Sequence, residues 1–259
     1  MAEGLVVEVF DRVGYVTLDR QPRRNALSHA VMEGLVETFH RFDHDDDVWA
    51  VLVTGAGSDA FCAGRDLKEL AGRDSRDAPP PAPMRGLLRN PFEVVYECRK
   101  PVVAALNGAA VGGGLELAMA CDVRIAAAHA TLGLPEALRG MGANFGAAIL
   151  PRLLPVGIAY DLLYTGRSLT ADEAARWGLV NAVVPGEQLA AAAEDYVRTV
   201  LSRAPLTLRR YKASIQSSLQ LPLSAALRLE LAPDPYGSED RVEGVRAFAE
   251  KREPQWRAR

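Results

Sequence analysis

A run of glycines between a predicted strand and a predicted helix is the feature of this sequence that most directly suggests chemistry. Gly112, Gly113 and Gly114 follow a strand predicted over residues 100–106 and open a helix predicted from residue 113. Glycines leave the peptide N–H groups open to a ligand, and the first N–H groups of a helix have no partner within it. The helix dipole adds positive potential there. The pattern predicts an oxyanion site, although a turn packed closely on a neighbouring segment would look the same.

A second turn of this kind follows another predicted strand, over residues 50–54. Ala63 and Gly64 lead into Arg65 there. If the two turns face each other, two amides converge on one carbonyl oxygen. Loss of one such donor typically costs about 2.7–4 kcal/mol of transition-state stabilisation.

Two glutamates lie near the glycines in the sequence. Glu116 falls in the first turn of the predicted helix, and Glu136 follows after one more predicted strand and Pro135. Each has apolar neighbours. Two carboxylates beside a polarising site suit general acid and base work, and burial can separate their pKa values. Taken singly, each glutamate is also typical of a surface residue at the end of a strand or helix.

Composition and the other motifs argue against several classes of protein. The net charge of −3 does not favour binding to nucleic acid or to an anionic membrane. Neither G-x-G-x-x-G, a P-loop nor a G-x-S-x-G elbow is present. The four histidines lack metal-ligand spacing, and the three cysteines lack C-x-x-C spacing and are expected to be reduced thiols. The apolar runs are short and the N-terminus lacks the features of a signal peptide, so a cytoplasmic protein is expected.

The elements that must position these residues form an α/β pattern. Residues 5–10 and 13–18 predict a hairpin, and Ser28 is expected to cap the helix that follows. Strand, helix and strand then recur, which is typical of an α/β core. Residues 74–90 are rich in proline and predict either a surface loop or a lid over a site. Helices are predicted over 187–201, 205–219 and 239–251.

Taken together, the motifs resemble the crotonase superfamily of enoyl-CoA hydratases and isomerases. Each motif alone is weak, but the joint pattern covers nearly the whole chain. The segments that carry the resemblance are 63–67, 107–116, 121–122, 134–136, 164–166, 174–175, 178–181, 184–185 and 243–252.

The resemblance implies a spiral of ββα units over residues 1–195 and a C-terminal helical trimerisation region over 196–259. It also implies a homotrimer or a dimer of trimers. The implied substrate is an acyl-CoA thioester, with no metal or redox cofactor, since coenzyme A is part of the substrate.

The resemblance also implies roles for individual residues. The oxyanion amides would be those of Arg65 and Gly113, with Glu136 protonating the α-carbon and Glu116 assisting the water. The implied contacts to CoA or substrate are Arg24, Ala26, Ala63, Gly64, Asp66, Leu67, Lys68 and Gly112, with Phe248 and Lys251 supplied by a neighbouring subunit.

One segment departs from the family pattern. Where many of the hydratases carry Pro-Gly-x-Gly, this chain has Ala143-Asn144-Phe145-Gly146. Asn144 is expected either to cap the next helix or to reshape the acyl pocket. The long side chain of Arg65 is expected to point to solvent or to CoA.

Three functions are compatible with the resemblance. The first is hydration of a 2-enoyl-CoA, which the presence of both glutamates favours. The second is a double-bond isomerase that uses one of the same glutamates and the same enolate. The third is a non-catalytic acyl-CoA-binding protein.

Overall fold

An N-terminal hairpin begins the fold of the computed structural model, which describes residues 2–73 and 89–259. β1 (Leu5–Phe10) pairs antiparallel with β2 (Val13–Leu18). Asp11 and Arg12 form the turn, and both have positive φ, 49° and 70°. Two-residue turns of this kind match the twist of the strands that they join. The predicted hairpin is confirmed.

The other strands are divided between two sheets, alternately from β3 to β8. They are β3 (Ala50–Gly55), β4 (Ala60–Cys62), β5 (Val102–Leu106), β6 (Ala109–Val111), β7 (Val123–Ala127), β8 (Thr131–Gly133), β9 (Ser168–Thr170) and β10 (Ala182–Val184). The first sheet has the order β1-β2-β3-β5-β7-β10, and the second has the order β4-β6-β8-β9. From β2 onward the first sheet is parallel.

The helices complete repeated ββα units. They are α1 (His29–His44), α2 (Leu67–Arg73), α3 (Pro91–Glu97), α4 (Gly113–Ala120), α5 (Asn144–Leu153), α6 (Val156–Thr165), α7 (Ala171–Arg176), α8 (Leu189–Leu201), α9 (Pro205–Ser218), α10 (Leu223–Ala226) and α11 (Glu239–Glu250). Two units are β3-β4-α2 and β5-β6-α4, and in the third a 3-10 helix precedes α5 after β7 and β8. The predicted α/β class and ββα spiral are confirmed.

The residue patterns alone missed the short second strand of each unit. They predicted strand, helix and strand in simple alternation, whereas β4, β6 and β8 intervene and have three residues each. Three residues carry too little alternation of polar and apolar side chains to be recognised. Pairing within the second sheet determines them instead.

The first sheet is covered on both faces. Val51 and Val53 share an apolar cluster with α1, which buries Leu35 and Phe39. Leu52 lies in the other cluster, with Leu189, Ala193 and Val197 of α8. Burial on both faces explains why the central strands are continuous apolar runs.

Side-chain hydroxyl groups cap two helices, and the cap expected at Ser28 is confirmed. The Ser28 hydroxyl accepts the Val31 N–H at 3.2 Å, and the Thr170 hydroxyl accepts that of Glu173 at 3.1 Å. The helices predicted over 187–201, 205–219 and 239–251 match α8, α9 and α11, although residues 186–188 form a 3-10 helix before α8.

Two sequence predictions concern regions rather than single elements. The expected boundary at residue 195 falls inside α8, which packs on the first sheet, and the division into two regions stays a prediction. The choice between a loop and a lid concerns residues 74–90, of which 74–88 lie outside the described residues. Within the part of the chain that the structure describes, no helix has the length and apolarity needed to cross a membrane.

Candidate active site

The turn after β4 and the glycine turn before α4 lie face to face. Gly64 has φ +85°, and a Cβ added to it would lie 2.6 Å from the Val111 carbonyl oxygen and 3.1 Å from the Gly113 nitrogen. A Cβ added to Gly113 would lie 3.7 Å from the Arg65 nitrogen. The structure therefore places the backbone amides of Arg65 and Gly113 side by side.

The three glycines of this turn have different roles. Gly114 packs on β4, because a Cβ there would lie 2.0 Å from the Cys62 carbonyl oxygen. Gly113 is the first residue of α4, so its N–H has no partner within the helix. Gly112 has φ +58°, and a Cβ there would lie 3.0 Å from Oε1 of Glu136. Close packing and an open amide, the two alternatives that the sequence left, thus both occur in one turn.

Glu116 lies on α4 with its carboxyl group in the protein interior. The residue is 7% exposed, and its Oε1 accepts the Gly146 N–H at 2.7 Å. Burial, with a smaller contribution from the charge of Glu136, raises the pKa of Glu116 to about 7, although the Gly146 N–H acts to lower it. A carboxyl group with this pKa can accept or release a proton near neutral pH.

Glu136 begins the 3-10 helix Glu136–Arg139 and is half-buried. Its Oε2 is shielded from solvent and has no hydrogen-bond partner among the described residues. Burial also raises the pKa of Glu136, which its own backbone N–H and the charge of Arg139 act to lower. The two carboxyl groups are thus unequal: a backbone N–H fixes Glu116, whereas one oxygen of Glu136 remains available.

The raised pKa of Glu116 predicts a stability that depends on pH. Its value is about 7 in the folded chain against an ordinary 4.5, so folding disfavours the ionised form and stability falls as pH rises through this interval. Glu116→Gln removes that loss. Relative to the parent, the variant should gain about 2.5 kcal/mol in unfolding free energy between pH 5 and pH 8. Urea denaturation at the two pH values measures this, and a constant difference would contradict the burial argument.

The Arg65 side chain points away from the amide pair. It is exposed, and its Nη1 lies 3.5 Å from the Met32 sulfur on α1. The guanidinium therefore lies at the solvent-facing side of the turn.

The order of these elements agrees with a known family. Residues 8–259 match the enoyl-CoA hydratase/isomerase family. The chain belongs to this family. Among curated relatives, carnitinyl-CoA dehydratases of Salmonella typhimurium and Citrobacter koseri are 37% identical over 252 residues, which cover 94% of each chain.

Solved structures of enoyl-CoA hydratases have the same fold as this chain. The enzyme from Bacillus anthracis superposes with a TM-score of 0.90 at 35% identity, covering 99% of this chain and 100% of that chain. The enzyme from Mycobacterium tuberculosis H37Rv gives a TM-score of 0.88 at 32% identity, with 99% of both chains covered. The resemblance that the motifs indicated is confirmed.

Seven of the residues that the family resemblance assigns to CoA lie on two adjoining segments, namely Arg24, Ala26, Ala63, Gly64, Asp66, Leu67 and Lys68. Ala63 N–H donates to the Arg24 carbonyl at 3.0 Å, and Leu27 N–H donates to that of Gly64 at 2.8 Å. Arg24 is exposed and Ala26 is buried. Exposed positions on both segments therefore belong to one surface beside the amide pair.

Asp66, Leu67 and Lys68 differ in what their side chains can offer a ligand. The Asp66 carboxylate accepts the backbone N–H groups of Lys68 and Glu69 and pairs with Arg20 at 3.0 Å. Its side chain therefore anchors the start of α2. The side chains of Leu67 and Lys68 are exposed.

Phe248 and Lys251 lie at the end of α11. Phe248 is 87% exposed, and Lys251 ends the helix with φ 55°. Within this chain α11 packs against Pro235–Gly237 and the Trp256 ring, whereas the glutamate pair lies beside α4 and α5. A contact of Phe248 or Lys251 with CoA from a second subunit stays a prediction.

The segment that departs from the family pattern does not contain the expected cap. The N-cap of α5 is Ala143, without a side-chain hydrogen bond, and Asn144 is the first helical residue. The Asn144 side chain instead donates to the Gly142 carbonyl at 3.3 Å. The expected capping role is wrong because the helix begins one residue earlier than the cap required.

Other residues essential to this geometry were not predicted as site residues. Gly146 holds Glu116, and Asn25 and Asn107 both donate to the Ala60 carbonyl, at 2.7 and 3.1 Å. These buried amides fasten the strand that leads to Gly64. An asparagine next to a turn was the only feature of the sequence that could have indicated them.

Among residues 2–73 and 89–259, no cluster of three or more His, Cys, Asp or Glu side chains could hold a metal ion.

Proposed function

We propose that this protein is an enoyl-CoA hydratase that adds water across the 2,3 double bond of a 2-enoyl-CoA. The observation that carries the proposal is the buried Glu116 and the half-buried Glu136 beside two adjoining backbone amides. Family membership supports the thioester substrate. In this proposal no metal or redox cofactor takes part, and CoA enters as part of the substrate.

The amide pair stabilises the charge that develops on the substrate. The thioester carbonyl oxygen lies between the N–H groups of Arg65 and Gly113. Attack at C3 moves the π electrons toward this oxygen and gives an enolate, which the two donors and the dipole of α4 stabilise. Because the donors belong to the backbone, they need no rearrangement as the charge forms.

The glutamates supply the proton transfers. Glu116, whose ionised form the Gly146 N–H stabilises, accepts a proton from water as the oxygen bonds to C3. Glu136, whose Oε2 is shielded from solvent and has no hydrogen-bond partner among the described residues, donates its proton to C2. Transfer of a proton from Glu116 to Glu136 through water restores the starting state, so the net change is the addition of one water molecule.

The CoA moiety is proposed to follow the surface formed by 24–27 and 63–68. The exposed side chains of Arg24 and Lys68 provide positive charge for its phosphates. Gly64 and Gly112 permit close approach of the thioester to the two turns.

Ultraviolet absorbance of crotonyl-CoA tests the proposal directly. Hydration destroys the conjugated thioester chromophore, so the signal should fall when protein is added. A 3-hydroxyacyl product identifies a hydratase, whereas a 3-enoyl-CoA converted only by a shift of its double bond identifies an isomerase. Acyl-CoA binding without turnover of 2-enoyl-CoAs or 3-enoyl-CoAs of several lengths would overturn both assignments.

One comparison favours a second substrate for the same chemistry. The relatives named carnitinyl-CoA dehydratase are 37% identical over 94% of this chain. Dehydration of a 3-hydroxyacyl-CoA is the reverse of the proposed reaction and uses the same groups. Carnitinyl-CoA incubated with the protein should therefore be compared with 3-hydroxybutanoyl-CoA, with formation of the conjugated thioester as the readout.

The C-terminal helices support a proposed trimer or dimer of trimers. Large apolar side chains are exposed there on one chain, namely Ile215, Leu219, Leu223, Leu227, Val242, Val245 and Phe248. Exposed apolar surface of this extent is typical of an interface. The mass in solution, measured by light scattering, should equal three or six chains, and a monomer would contradict the proposal.

A further inference from the structure

Three aromatic side chains form a cluster next to the proposed site. The Phe145 ring lies 5.8 Å from Phe92 and 6.2 Å from Tyr96, measured between ring centroids. Phe92 and Tyr96 lie one turn apart on α3, and Phe145 lies at the start of α5. Phe145 is only 5% exposed, so its ring already fills the space between these two helices.

The cluster adjoins both parts of the catalytic geometry. Cζ of Phe92 lies 3.3 Å from the position of a Cβ added to Gly113, the proposed oxyanion donor. Phe145 directly precedes Gly146, whose N–H binds Glu116 at 2.7 Å. An acyl group held by its carbonyl oxygen at Gly113, with C2 and C3 at the glutamates, therefore extends toward this cluster.

We propose that Phe145, supported by Phe92 and Tyr96, closes the distal end of the acyl site and restricts the enzyme to short 2-enoyl groups. This inference rests on the proposed hydratase function. A ring packed against two others cannot turn aside without losing its contacts, and close-packed interiors resist such changes. Each methylene added beyond the crotonyl group must displace part of the ring.

The packing of the three rings also indicates which kind of acyl group the cluster can accept. Aromatic rings recognise a quaternary ammonium when they surround an open space that admits the cation. Here the rings contact one another directly, at centroid distances of 5.8 and 6.2 Å. The cluster therefore favours a small uncharged acyl group over one that ends in a trimethylammonium.

The test compares kcat/KM for crotonyl-CoA and trans-2-octenoyl-CoA in the parent and in Phe145→Ala. The parent should favour the shorter substrate by about tenfold or more, and the variant should shift this ratio toward the longer one by about tenfold or more. Phe145→Leu should give an intermediate shift. A parent that accepts both lengths equally, or a ratio that the substitutions leave unchanged, would overturn the assignment.

A matched control separates this effect from general loss of packing. Phe42→Leu changes another buried phenylalanine, which packs on Phe39 within the core of the first sheet. It should lower stability as Phe145→Leu does, yet leave the chain-length ratio as in the parent. An equal shift of the ratio in Phe42→Leu would assign the effect to stability and overturn the role of Phe145.

Binding of saturated thioesters keeps the inference distinct from the proposed reaction. Calorimetry should show tighter binding of butanoyl-CoA than of octanoyl-CoA by the parent, with the preference reduced in Phe145→Ala. This outcome without turnover of any 2-enoyl-CoA would remove the hydratase function and retain Phe145 as the limit on acyl length. Turnover without any length preference in binding or catalysis would retain the hydratase function and remove the role of Phe145.

Discussion

Replacing Glu136 with glutamine is expected to lower kcat for crotonyl-CoA by a factor of about 10²–10⁴, the usual contribution of a positioned acid or base. The substitution keeps the size of the side chain but removes the proton that C2 receives. Glu116→Gln should cause a loss of similar size, because its amide cannot accept the proton of water. The substrate contacts of the amide pair remain, so acyl-CoA binding should survive in both variants.

Two further measurements make this result specific. Glu8→Gln, at an exposed position of β1, should retain the parent kcat and KM. The double variant Glu116→Gln/Glu136→Gln should lose little more than either single variant, because the two carboxyl groups act in one reaction. Near-normal activity of either single variant would refute the paired-carboxylate mechanism.

Gly64→Ala is expected to lower kcat by a factor of about 10²–10³, comparable to the loss of one oxyanion donor. The new Cβ would lie 2.6 Å from the Val111 carbonyl oxygen and 3.1 Å from the Gly113 nitrogen. Neither backbone atom can yield without separating the two turns. The amides of Arg65 and Gly113 would then no longer converge on one oxygen.

Gly178→Ala provides the matched control for backbone strain. Gly178 has φ +81°, close to the +85° of Gly64, but no heavy atom of the described residues lies within 4 Å of its added Cβ. Both variants should lose about 1–2 kcal/mol of stability from the left-handed backbone conformation. If Gly64→Ala loses no more activity than Gly178→Ala, the clash with the glycine turn is not what supports catalysis.

The sequence indicates some parts of this site and not others. The glycines between strand and helix and the two glutamates could be predicted, because each follows an apolar run in the sequence. The amide of Gly146 was not visible as a partner of Glu116, because 30 residues and a turn separate them. Only the packing of α5 on α4 creates that hydrogen bond.

The departure at residues 143–146 illustrates the same limit. The sequence placed the bulky Phe145 at the variable position of the family's Pro-Gly-x-Gly pattern, and it left the side chain of Asn144 between two roles. The structure shows Asn144 exposed and turned to Gly142, whereas Phe145 is buried against α3. The side-chain direction depends on where the first turn of α5 begins, because a shift of one residue turns each side chain by about 100° around the helix axis.

By itself, the sequence determined the α/β class, the hairpin with its strand ends, the helix cap at Ser28, and the family. These features arise from local periodicity, from turn chemistry and from motifs that lie close together in the chain. The tertiary structure decided the short strands of the second sheet, the facing of Gly64 and Gly113, and the unequal burial of Glu116 and Glu136. Such features depend on contacts between segments far apart in sequence, whose distances follow from the order of strands in the sheets and not from the residues on either side.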